Sequence, residues 1–432
     1  MFYIIKLENG MILFNNKSMN SIKELTQTLI KWIVLSIIIG VGVGIVAAAF
    51  SWLVMKGTEL RTAHQWIVYG LPLGGLAIVA LYKYTGQEKN AGTNMVIQVI
   101  RDDEDEMPGR VAPLILISSI ITHFFGGSAG REGAALQFGA SIGDWLGRKI
   151  NLNSSDRKII TLASMSAAFS GLMGTPMAAA IFPMEVIAVG VMYYGALVPC
   201  VFSAFIAQEV SVLLHVRTLA SPYPVVNVPS FYSFAGIKAI GLGICFALVG
   251  ILFCISLSKT SDLYKKFIKN NYLRIAVGGI LVIILYLLLG TDKYLGLSTG
   301  IIESSFGSPA GFQVFLLKII FTCLTLCAGY KGGEIVPTFV IGASLGSALS
   351  LLFGLPVELC AACGMVGVFC AVTNSPITSF IIAFELFGAA GMPYFCVIIA
   401  VSYLLSGYYS LYKEQRIVYS KTENKYINQK SK

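Results

Sequence analysis

The chain has 432 residues, of which 56% are hydrophobic and only 12% are charged. This charged fraction is about half that of an ordinary soluble domain, which excludes a soluble enzyme. The formal net charge is +9, but the basic excess lies in short segments beside apolar runs, as the positive-inside rule describes. No nucleic-acid partner is therefore expected.

Apolar runs without Asp, Glu, Lys or Arg extend along nearly the whole chain. A bilayer core of about 30 Å takes about 20 helical residues, and only closed backbone hydrogen bonding is tolerated there. The first run starts too late and is too long for a cleavable signal peptide. The pattern predicts an all-α polytopic protein of the lipid bilayer. The eleven runs of 17 residues or more cover 32–55, 62–82, 111–130, 159–184, 186–208, 218–237, 239–258, 275–291, 335–357, 359–384 and 386–412.

Basic residues concentrate at both ends of the chain and between two of the later runs. Residues 413–432 carry six basic and two acidic side chains, and the stretch 259–274 is also mainly basic. Positive segments remain on the cytoplasmic side. The charges predict a multi-pass protein of the cell (inner or plasma) membrane with both termini cytoplasmic.

Two motifs recur in the same order in the two halves of the chain. Residues 169–176 and 369–376 share the spacing from Phe to Pro at an offset of 200, and each proline is followed nine positions later by Glu185 or Glu385. Upstream, Gly-Arg-Glu132-Gly with the run 139–143 parallels Gly-Gly-Glu334-Ile with the run 342–346. The match predicts a duplication, which in membrane proteins is typical of transporters with a site between the halves.

The duplication divides the chain into five parts. The predicted organisation is a cytoplasmic N-terminal segment 1–25, a first membrane repeat 26–216, a linker 217–229, a second repeat 230–412 and a cytoplasmic tail 413–432.

Ionisable side chains inside apolar segments are costly, and they mark a transport pathway by default. Glu132 lies in the glycine-rich stretch Gly130-Arg131-Glu132-Gly133, and Glu334 follows Gly333. A third glycine-led helix start is Gly92-Thr93-Asn94-Met95. Free N–H groups and the helix dipole make such starts anion sites. Arg131 could instead simply pair with Glu132, Lys331 could cap a helix, and Glu185 and Glu385 are interpreted first as packing or capping groups.

An enzyme is weighed and not expected. The segment Gly126-Gly-Ser128-Ala-Gly130 fits the Gly-x-Ser-x-Gly nucleophile pattern, and His123 is close in sequence. No Asp or Glu obviously orients this histidine. Cys360-x-x-Cys363 has no second pair to complete a metal site, and neither a metal nor a cofactor is expected.

At these residues the sequence resembles the CLC family of chloride channels and anion/proton antiporters. Residues 130–134 resemble the family's Gly-Lys/Arg-Glu-Gly-Pro motif with alanine at the last position, and residues 333–337 resemble its Gly-x-Phe-x-Pro motif. The resemblance implies an inverted repeat of tilted and partial helices and a homodimer with one pathway per subunit. It also implies that Glu132 is the gating, proton-exchanging glutamate.

Several departures are similar to the family's fluoride/proton antiporter branch. Val186 stands where chloride/proton exchangers carry an internal proton glutamate, and the second-half motif begins Gly-Gly-Glu334. This resemblance implies export of fluoride coupled to protons, with Glu334 as a second proton group. The alternative is a chloride/proton exchanger or chloride channel of the same fold. Tyr412 is expected at the pore, with an interfacial belt residue as the other interpretation. The anion-binding residues that the motifs imply are Thr93, Asn94, Met95, Gly130, Arg131, Gly133, Gly333, Ile335, Val336 and Tyr412.

Overall fold

The computed structural model describes residues 2–7, 10–101, 106–216, 218, 223 and 225–432, and of residues 2–20 it describes the backbone alone. Most of this part of the chain is helical, which confirms the all-α prediction. The first-half helices are α1 Asn16–Ala63, α2 Leu71–Tyr84, α3 Thr93–Arg101, α4 Val111–Phe124, α5 Glu132–Lys149, α6 Ser154–Met173, α7 Pro176–Val186 and α8 Leu197–Leu213. The second-half helices are α9 Phe234–Phe267, α10 Asn271–Leu289, α11 Thr299–Gly307, α12 Gln313–Ala328, α13 Ile335–Phe353, α14 Val357–Thr373, α15 Pro376–Phe387 and α16 Met392–Leu405.

The two series of helices have the same order, and from the third helix onward their lengths differ by no more than three residues. A long first helix is followed by a second helix, a nine-residue helix and then five further helices in each half, and both nine-residue helices precede a glycine-rich helix start. The repeat seen in the sequence is therefore a repeat of structure.

The number of membrane-length helices is smaller than the number of apolar runs. Among the described residues, six helical stretches are long and apolar enough to cross a membrane, and other apolar helices span only 10–17 residues. The prediction that the run 218–237 forms one membrane-length helix is wrong. Its described residues before Phe234, where α9 begins, are not helical. Residues 219–222 and 224 lie outside the described residues. Prolines at 222, 224 and 229 explain this, because proline removes a backbone donor and breaks helices.

Local chemistry sets the shared break between α6 and α7 and between α14 and α15. Gly174 follows α6 with φ of 78° and Asn374 follows α14 with φ of 56°, both in the left-handed conformation that glycine and asparagine tolerate best. Pro176 and Pro376 then begin the next helices, a position that suits the fixed φ of proline. The Phe-to-Pro frames of the sequence are these helix breaks.

Glycines allow close helix packing at equivalent places in both halves. A Cβ on Gly346 would lie 2.0 Å from the Cys360 carbonyl oxygen, and one on Gly342 would lie 2.2 Å from that of Gly364. In the first half, a Cβ on Gly139 would lie 2.7 Å from the Ser164 carbonyl oxygen. Small residues four apart let membrane helices approach closely, so α5 packs on α6 as α13 packs on α14.

Glu185 and Glu385 each cap the N-terminus of a helix in the opposite half of the chain. The Glu185 carboxylate accepts hydrogen bonds from the backbone N–H groups of Ile377 (2.9 Å) and Thr378 (2.8 Å) at the start of α15. The Glu385 carboxylate accepts the equivalent bonds at the start of α7, from Met177 (2.8 Å) and Ala178 (2.9 Å). The capping interpretation is the one that the geometry supports. Such reciprocal contacts are the property of a two-fold axis, here relating the two halves.

The tail folds against the membrane helices instead of extending away from them. Strand β4, Arg416–Tyr419, pairs in parallel with β3, Ala188–Val189, and antiparallel with β5, Tyr426–Lys430. The Gln415 amide donates to the carbonyls of Val186 and Thr373, both at 2.8 Å. A separate hairpin at the N-terminus pairs β1, Phe2–Leu7, with β2, Gly10–Asn15.

Contacts place the N-terminal half of α1, the first turn of α6, the end of α3 and the tail on one face. Lys31 forms an ion pair with Asp156. Arg101 lies 3.7 Å from a carboxylate oxygen of Glu414. Lys413 donates to the Ser258 hydroxyl on α9 at 3.0 Å. We call this side of the molecule the tail face.

Candidate functional site

The N-termini of α5 and α13 meet where the two halves touch. Gly130 and Gly333 form an antiparallel bridge in which each N–H donates to the other carbonyl, at 2.6 and 2.7 Å. A Cβ on Gly333 would lie 2.3 Å from the Gly133 nitrogen, so the approach requires glycine. The bridge sets Glu132, the first residue of α5, and Glu334, the residue before α13, side by side.

The bridge also corrects the alignment of the two motifs. With Gly130 opposite Gly333, α5 begins two residues after its glycine and α13 begins two residues after its own. Glu132 is thus equivalent to Ile335, and Glu334 is equivalent to Arg131. The sequence comparison had paired the two glutamates because it aligned the letters of the motifs without the helix register.

Glu132 is completely buried at the start of α5. Its Oε2 accepts a hydrogen bond from the backbone N–H of Arg131 at 3.0 Å, and its Oε1 has no hydrogen-bond partner among the described residues. The first N–H groups of a helix have no intrahelical acceptor and attract anions. The carboxylate therefore lies at a helix start of the kind that can also attract an anion.

The Arg131 side chain points away from the second repeat. Its guanidinium donates to the Ser51 hydroxyl on α1 (2.5 Å) and to the Leu172 carbonyl near the end of α6 (3.1 Å), and its Nε lies 3.5 Å from Glu132 Oε1. It thus pairs with Glu132 only through the edge of the guanidinium.

A cavity of about 390 Å³ opens beside this meeting point on the tail face. It is lined by the start of α3, the end of α9, the segment before α13 and the segment after α16. Its lining residues include Asn90, Gly92, Thr93, Asn94, Gln137, Ser258, Ser261, Lys265, Tyr330, Lys331, Gly332, Glu334, Ser410, Tyr412, Lys413 and Lys432. Predicted residues from three distant parts of the chain, Thr93, Glu334 and Tyr412, therefore share one wall.

Four buried polar atoms around this cavity have no hydrogen-bond partner among the described residues: Glu132 Oε1, Glu334 Oε2, Gln137 Oε1 and the Tyr412 hydroxyl. Tyr412 is 1% exposed and lines the cavity together with Glu334. Buried polar groups are nearly always paired, so a concentration of unpaired ones indicates a site that handles ions or protons.

The third glycine-led start, that of α3, borders the same cavity. Gly92 has φ of 66° and donates its N–H to the Asn90 side chain at 2.8 Å, which turns the chain into the helix. Thr93 is 8% exposed. The side-chain oxygen Oδ1 of Asn94 accepts a hydrogen bond from the backbone N–H of Glu414 at 3.1 Å, and the Met95 sulfur lies 3.6 Å from the Asn90 side-chain amide. The start of α3 is thus held against the tail.

Basic side chains line the mouth of the cavity. Lys265, Lys331, Lys413 and Lys432 all belong to its lining. The Lys331 ammonium lies 4.3 Å from the centroid of the Tyr82 ring, a cation–π contact. Four lysines and one glutamate, Glu334, thus line the cavity, and an excess of positive charge raises the local concentration of anions.

The Ser128–His123 pair that the hydrolase alternative invokes is not formed in the structure. Both ring nitrogens of His123 face backbone carbonyls, those of Ser119 (2.7 Å) and Ala129 (3.2 Å). The Ser128 hydroxyl accepts from the Lys318 ammonium at 2.9 Å and lies 3.3 Å from Thr322. Nucleophilic catalysis needs a base held against the serine, and His123 is not placed to act as one.

Sequence reasoning missed Gln137 and Lys265. Gln137 donates to the Gly133 carbonyl at 3.2 Å and is 4% exposed. An amide five residues after Glu132, inside an apolar helix, was a signal for it. Lys265 counted only as one of the basic residues that set the membrane orientation. Nothing in the neighbouring sequence distinguishes it from the other lysines of that stretch.

Comparison with known proteins gives one family. Residues 74–407 match the family described as voltage gated chloride channel. A "Chloride/fluoride channel protein" of Pseudomonas syringae pv. tomato is 35% identical over 404 residues, which cover 92% of this chain and 89% of that protein.

Solved structures agree. A CLC-type fluoride/proton antiporter superposes with a TM-score of 0.85 at 34% identity, over 90% of this chain and 98% of that one. A slow cyanobacterial Cl⁻/H⁺ antiporter superposes with a TM-score of 0.73 at 19% identity, over 87% of this chain and 94% of that one, a likeness of fold alone.

Proposed function

Because this chain belongs to the voltage gated chloride channel (CLC) family, we propose that it is a proton-coupled fluoride exporter, an antiporter that exchanges fluoride for protons. Two similar proteins carry fluoride in their names. The observation that carries the proposal is the pair of adjacent glutamates, Glu132 and Glu334, each at the start of a helix and each with one buried carboxylate oxygen that accepts no hydrogen bond among the described residues.

Glu132 is the proposed gate and proton carrier. Ionised, it holds the Arg131 N–H at the start of α5 and excludes an anion by charge and by position. Protonation removes the charge that the helix dipole stabilises and releases the site. Protonation of Glu132 and occupancy by the anion are therefore linked, and each changes the free energy of the other by the same amount.

The α13 side of the site would hold the anion. The first intrahelical bond is from Thr338 N–H to Glu334 O, and Pro337 has no N–H, so Ile335 and Val336 are the donors of the first turn. Thr93, Asn94 and Tyr412 add side-chain donors, and Gly130, Gly133 and Gly333 give the close approach. Arg131 would contribute its backbone, and Met95 would contribute packing.

Glu334 is the proposed second proton group. It lines the cavity, whereas Glu132 does not belong to the lining. Protons from the tail face would reach Glu334 first. This route replaces the internal relay that the resemblance leaves without a glutamate at Val186.

The chemistry of fluoride supplies a driving force for this exchange. Fluoride enters acidified cells as neutral HF and ionises in a near-neutral cytoplasm. An inward proton gradient can then drive its export. A strongly hydrated ion needs close donors to replace its water, as the helix N-termini can provide.

The tail face is proposed to be cytoplasmic in the cell membrane, with both termini on that side. The mainly basic stretch 259–274, which covers the end of α9 and the start of α10, and the basic tail support this orientation by the positive-inside rule. The resemblance to the family further implies a homodimer with one pathway per subunit.

Proteoliposomes loaded with fluoride test the function. The wild-type protein should move protons inward as fluoride leaves. Glu132→Gln should reduce coupled proton movement to the background of protein-free vesicles, because a neutral amide cannot exchange a proton. The matched control is Glu303→Gln, an exposed glutamate on α11, which should behave as wild type. Unaltered proton coupling in Glu132→Gln would remove that glutamate from the mechanism, and chloride-driven exchange without fluoride exchange would assign the chain to the chloride alternative.

A further inference from the structure

Two buried cations that the proposed mechanism does not use lie outside the cavity lining, against residues 126–128 just before Glu132. Lys318 on α12 is 0% exposed, and Arg61 near the end of α1 is 5% exposed. Among the described residues, no carboxylate oxygen lies within 4.0 Å of the nitrogen atoms of either side chain, and the Asp292 carboxylate attracts the Arg61 guanidinium only from a greater distance. A charged group inside a membrane protein is costly unless something compensates it, so this pair calls for a partner.

Both cations converge on one loop. The Lys318 ammonium lies 3.2 Å from the Gly296 carbonyl oxygen and donates to the hydroxyls of Ser128 (2.9 Å) and Ser298 (2.8 Å). A Cβ on Gly296 would lie 3.3 Å from Arg61 Nη2. The Lys318 ammonium is thus fully hydrogen-bonded, but by neutral oxygens, so its charge remains available to an anion.

Arg61 has unused donors. Its Nε and Nη1 are buried and have no hydrogen-bond partner among the described residues. Nη1 lies beside the loop that leads to Glu132, because a Cβ on Gly126 would be 3.1 Å from it. A guanidinium with free N–H groups is a strong donor for small anions.

The two-fold relation between the repeats gives this place a counterpart. The cavity on the tail face is lined by the end of α9, the start of α3 and the segment 330–332 before α13. The equivalent elements are the end of α1, the start of α11 and the segment 127–129 before α5. Arg61 lies two residues before the end of α1, as Lys265 lies two residues before the end of α9. The same elements that build the first mouth meet here around Arg61 and Lys318.

Resting on the proposed function, we propose that Arg61 and Lys318 form a second anion site, which binds the transported halide on the outward side of Glu132. Fluoride leaving the Glu132 position would be received by the free N–H groups of Arg61 in the positive field of both cations. The site would hold the exported anion next to the gate until Glu132 ionises and closes the way back.

The test separates the two faces of the membrane. Fluoride flux is measured against fluoride concentration in right-side-out and in inside-out vesicles, with the proton gradient fixed. Arg61→Gln should raise the KM for fluoride at the outer face about tenfold, as expected for loss of one charge-assisted hydrogen bond, and leave the KM at the cytoplasmic face unchanged. Arg61→Lys, which keeps the charge, should restore most of the affinity. Lys56→Gln on the same helix, whose ammonium pairs with Glu59 at 2.7 Å, should have no effect.

Lys318→Met should reproduce the one-sided change in KM. If that variant does not fold, the Arg61 series alone decides. Equal changes in KM at both faces, or none, would overturn the second site and leave Arg61 and Lys318 as structural ties. Failure of the wild-type protein to exchange fluoride for protons would instead overturn the proposed function, so the two failures are distinguishable.

Discussion

At the scale of single residues, Glu132 and Glu334 differ in their access to water. Glu132 is completely buried beside Arg131, whereas Glu334 lines the cavity. A proton arriving from the tail face therefore meets Glu334 before Glu132. The two carboxylates occupy non-equivalent positions of the repeat, which allows them to have different roles in one cycle.

Glu334→Gln should impair coupling without abolishing anion binding. The amide removes the proton site, but the N–H groups of Ile335 and Val336 remain at the start of α13. We expect the number of protons moved per fluoride to fall about tenfold. Loss of a positioned proton-transfer group usually has an effect at least this large. Simultaneous pH and fluoride electrodes measure the ratio, with exposed Glu423→Gln as the control. Intact stoichiometric exchange would reduce Glu334 to a structural group at the helix start.

At the scale of secondary-structure elements, the reciprocal caps tie α7 to α15. Each carboxylate satisfies two backbone donors of the other repeat, and Glu185 also accepts from the Thr378 hydroxyl at 2.6 Å. Helix capping therefore explains why a glutamate stands at each of these two positions. No role in proton transfer is needed to explain them.

Glu185→Ala should therefore destabilise the fold and leave coupling unchanged. Two helix N–H groups would lose their acceptor, at a cost of about 1–3 kcal/mol each when buried. Thermal unfolding in detergent, monitored by size-exclusion chromatography, should give Glu185→Ala a lower transition temperature than Glu303→Ala. A loss of proton coupling at unchanged stability would contradict the capping role.

Close packing of α13 on α14 provides a second test at this scale. Gly346→Ala would set a methyl group about where the Cys360 carbonyl oxygen lies, at 2.0 Å, whereas a Cβ on Gly300 meets nothing within 4 Å. Overpacking of this kind costs about 1–3 kcal/mol or more. Gly346→Ala should reduce the yield of folded protein, and Gly300→Ala should not. Equal stability of the two variants would show that the helices can separate freely.

At the scale of the whole molecule, the two halves share a frame but differ in chemistry. Equivalent positions carry Lys331 in one half and Ser128 in the other, and Glu334 is matched by Arg131. The side chains therefore make the two sides of a symmetric frame unequal, and this inequality gives direction to the proposed transport.

Selectivity is a property of this whole assembly. The wild-type protein should prefer fluoride to chloride, because donors from α3, α13 and the segment after α16 can approach a small ion closely. Vesicles loaded with equal fluoride and chloride gradients, read by ion-selective electrodes, measure the preference. We expect fluoride efflux to exceed chloride efflux at least about tenfold, a free-energy difference of about 1.4 kcal/mol. Equal or chloride-favouring efflux would place the chain with the chloride transporters while leaving the fold unchanged.

The sequence by itself determined the class of protein, the repeat and the helix starts at Glu132 and Glu334. These follow from local signals: apolar runs of membrane length, glycine and proline at helix ends, and charge beside them. The prolines at 222, 224 and 229 are also a local signal. They argue against a helix in this segment, although its hydropathy favours one.

Tertiary structure alone decided which distant residues meet. Gln137 at the cavity, the Arg131 side chain on α1 and the cations Arg61 and Lys318 all depend on contacts between segments far apart in the chain. The register that pairs Gly130 with Gly333, and so separates the two glutamates by one helix position, likewise exists only once both halves are folded. The physical reason is that hydropathy and helix capping act within a few residues, whereas a buried ion site is made by packing across the molecule.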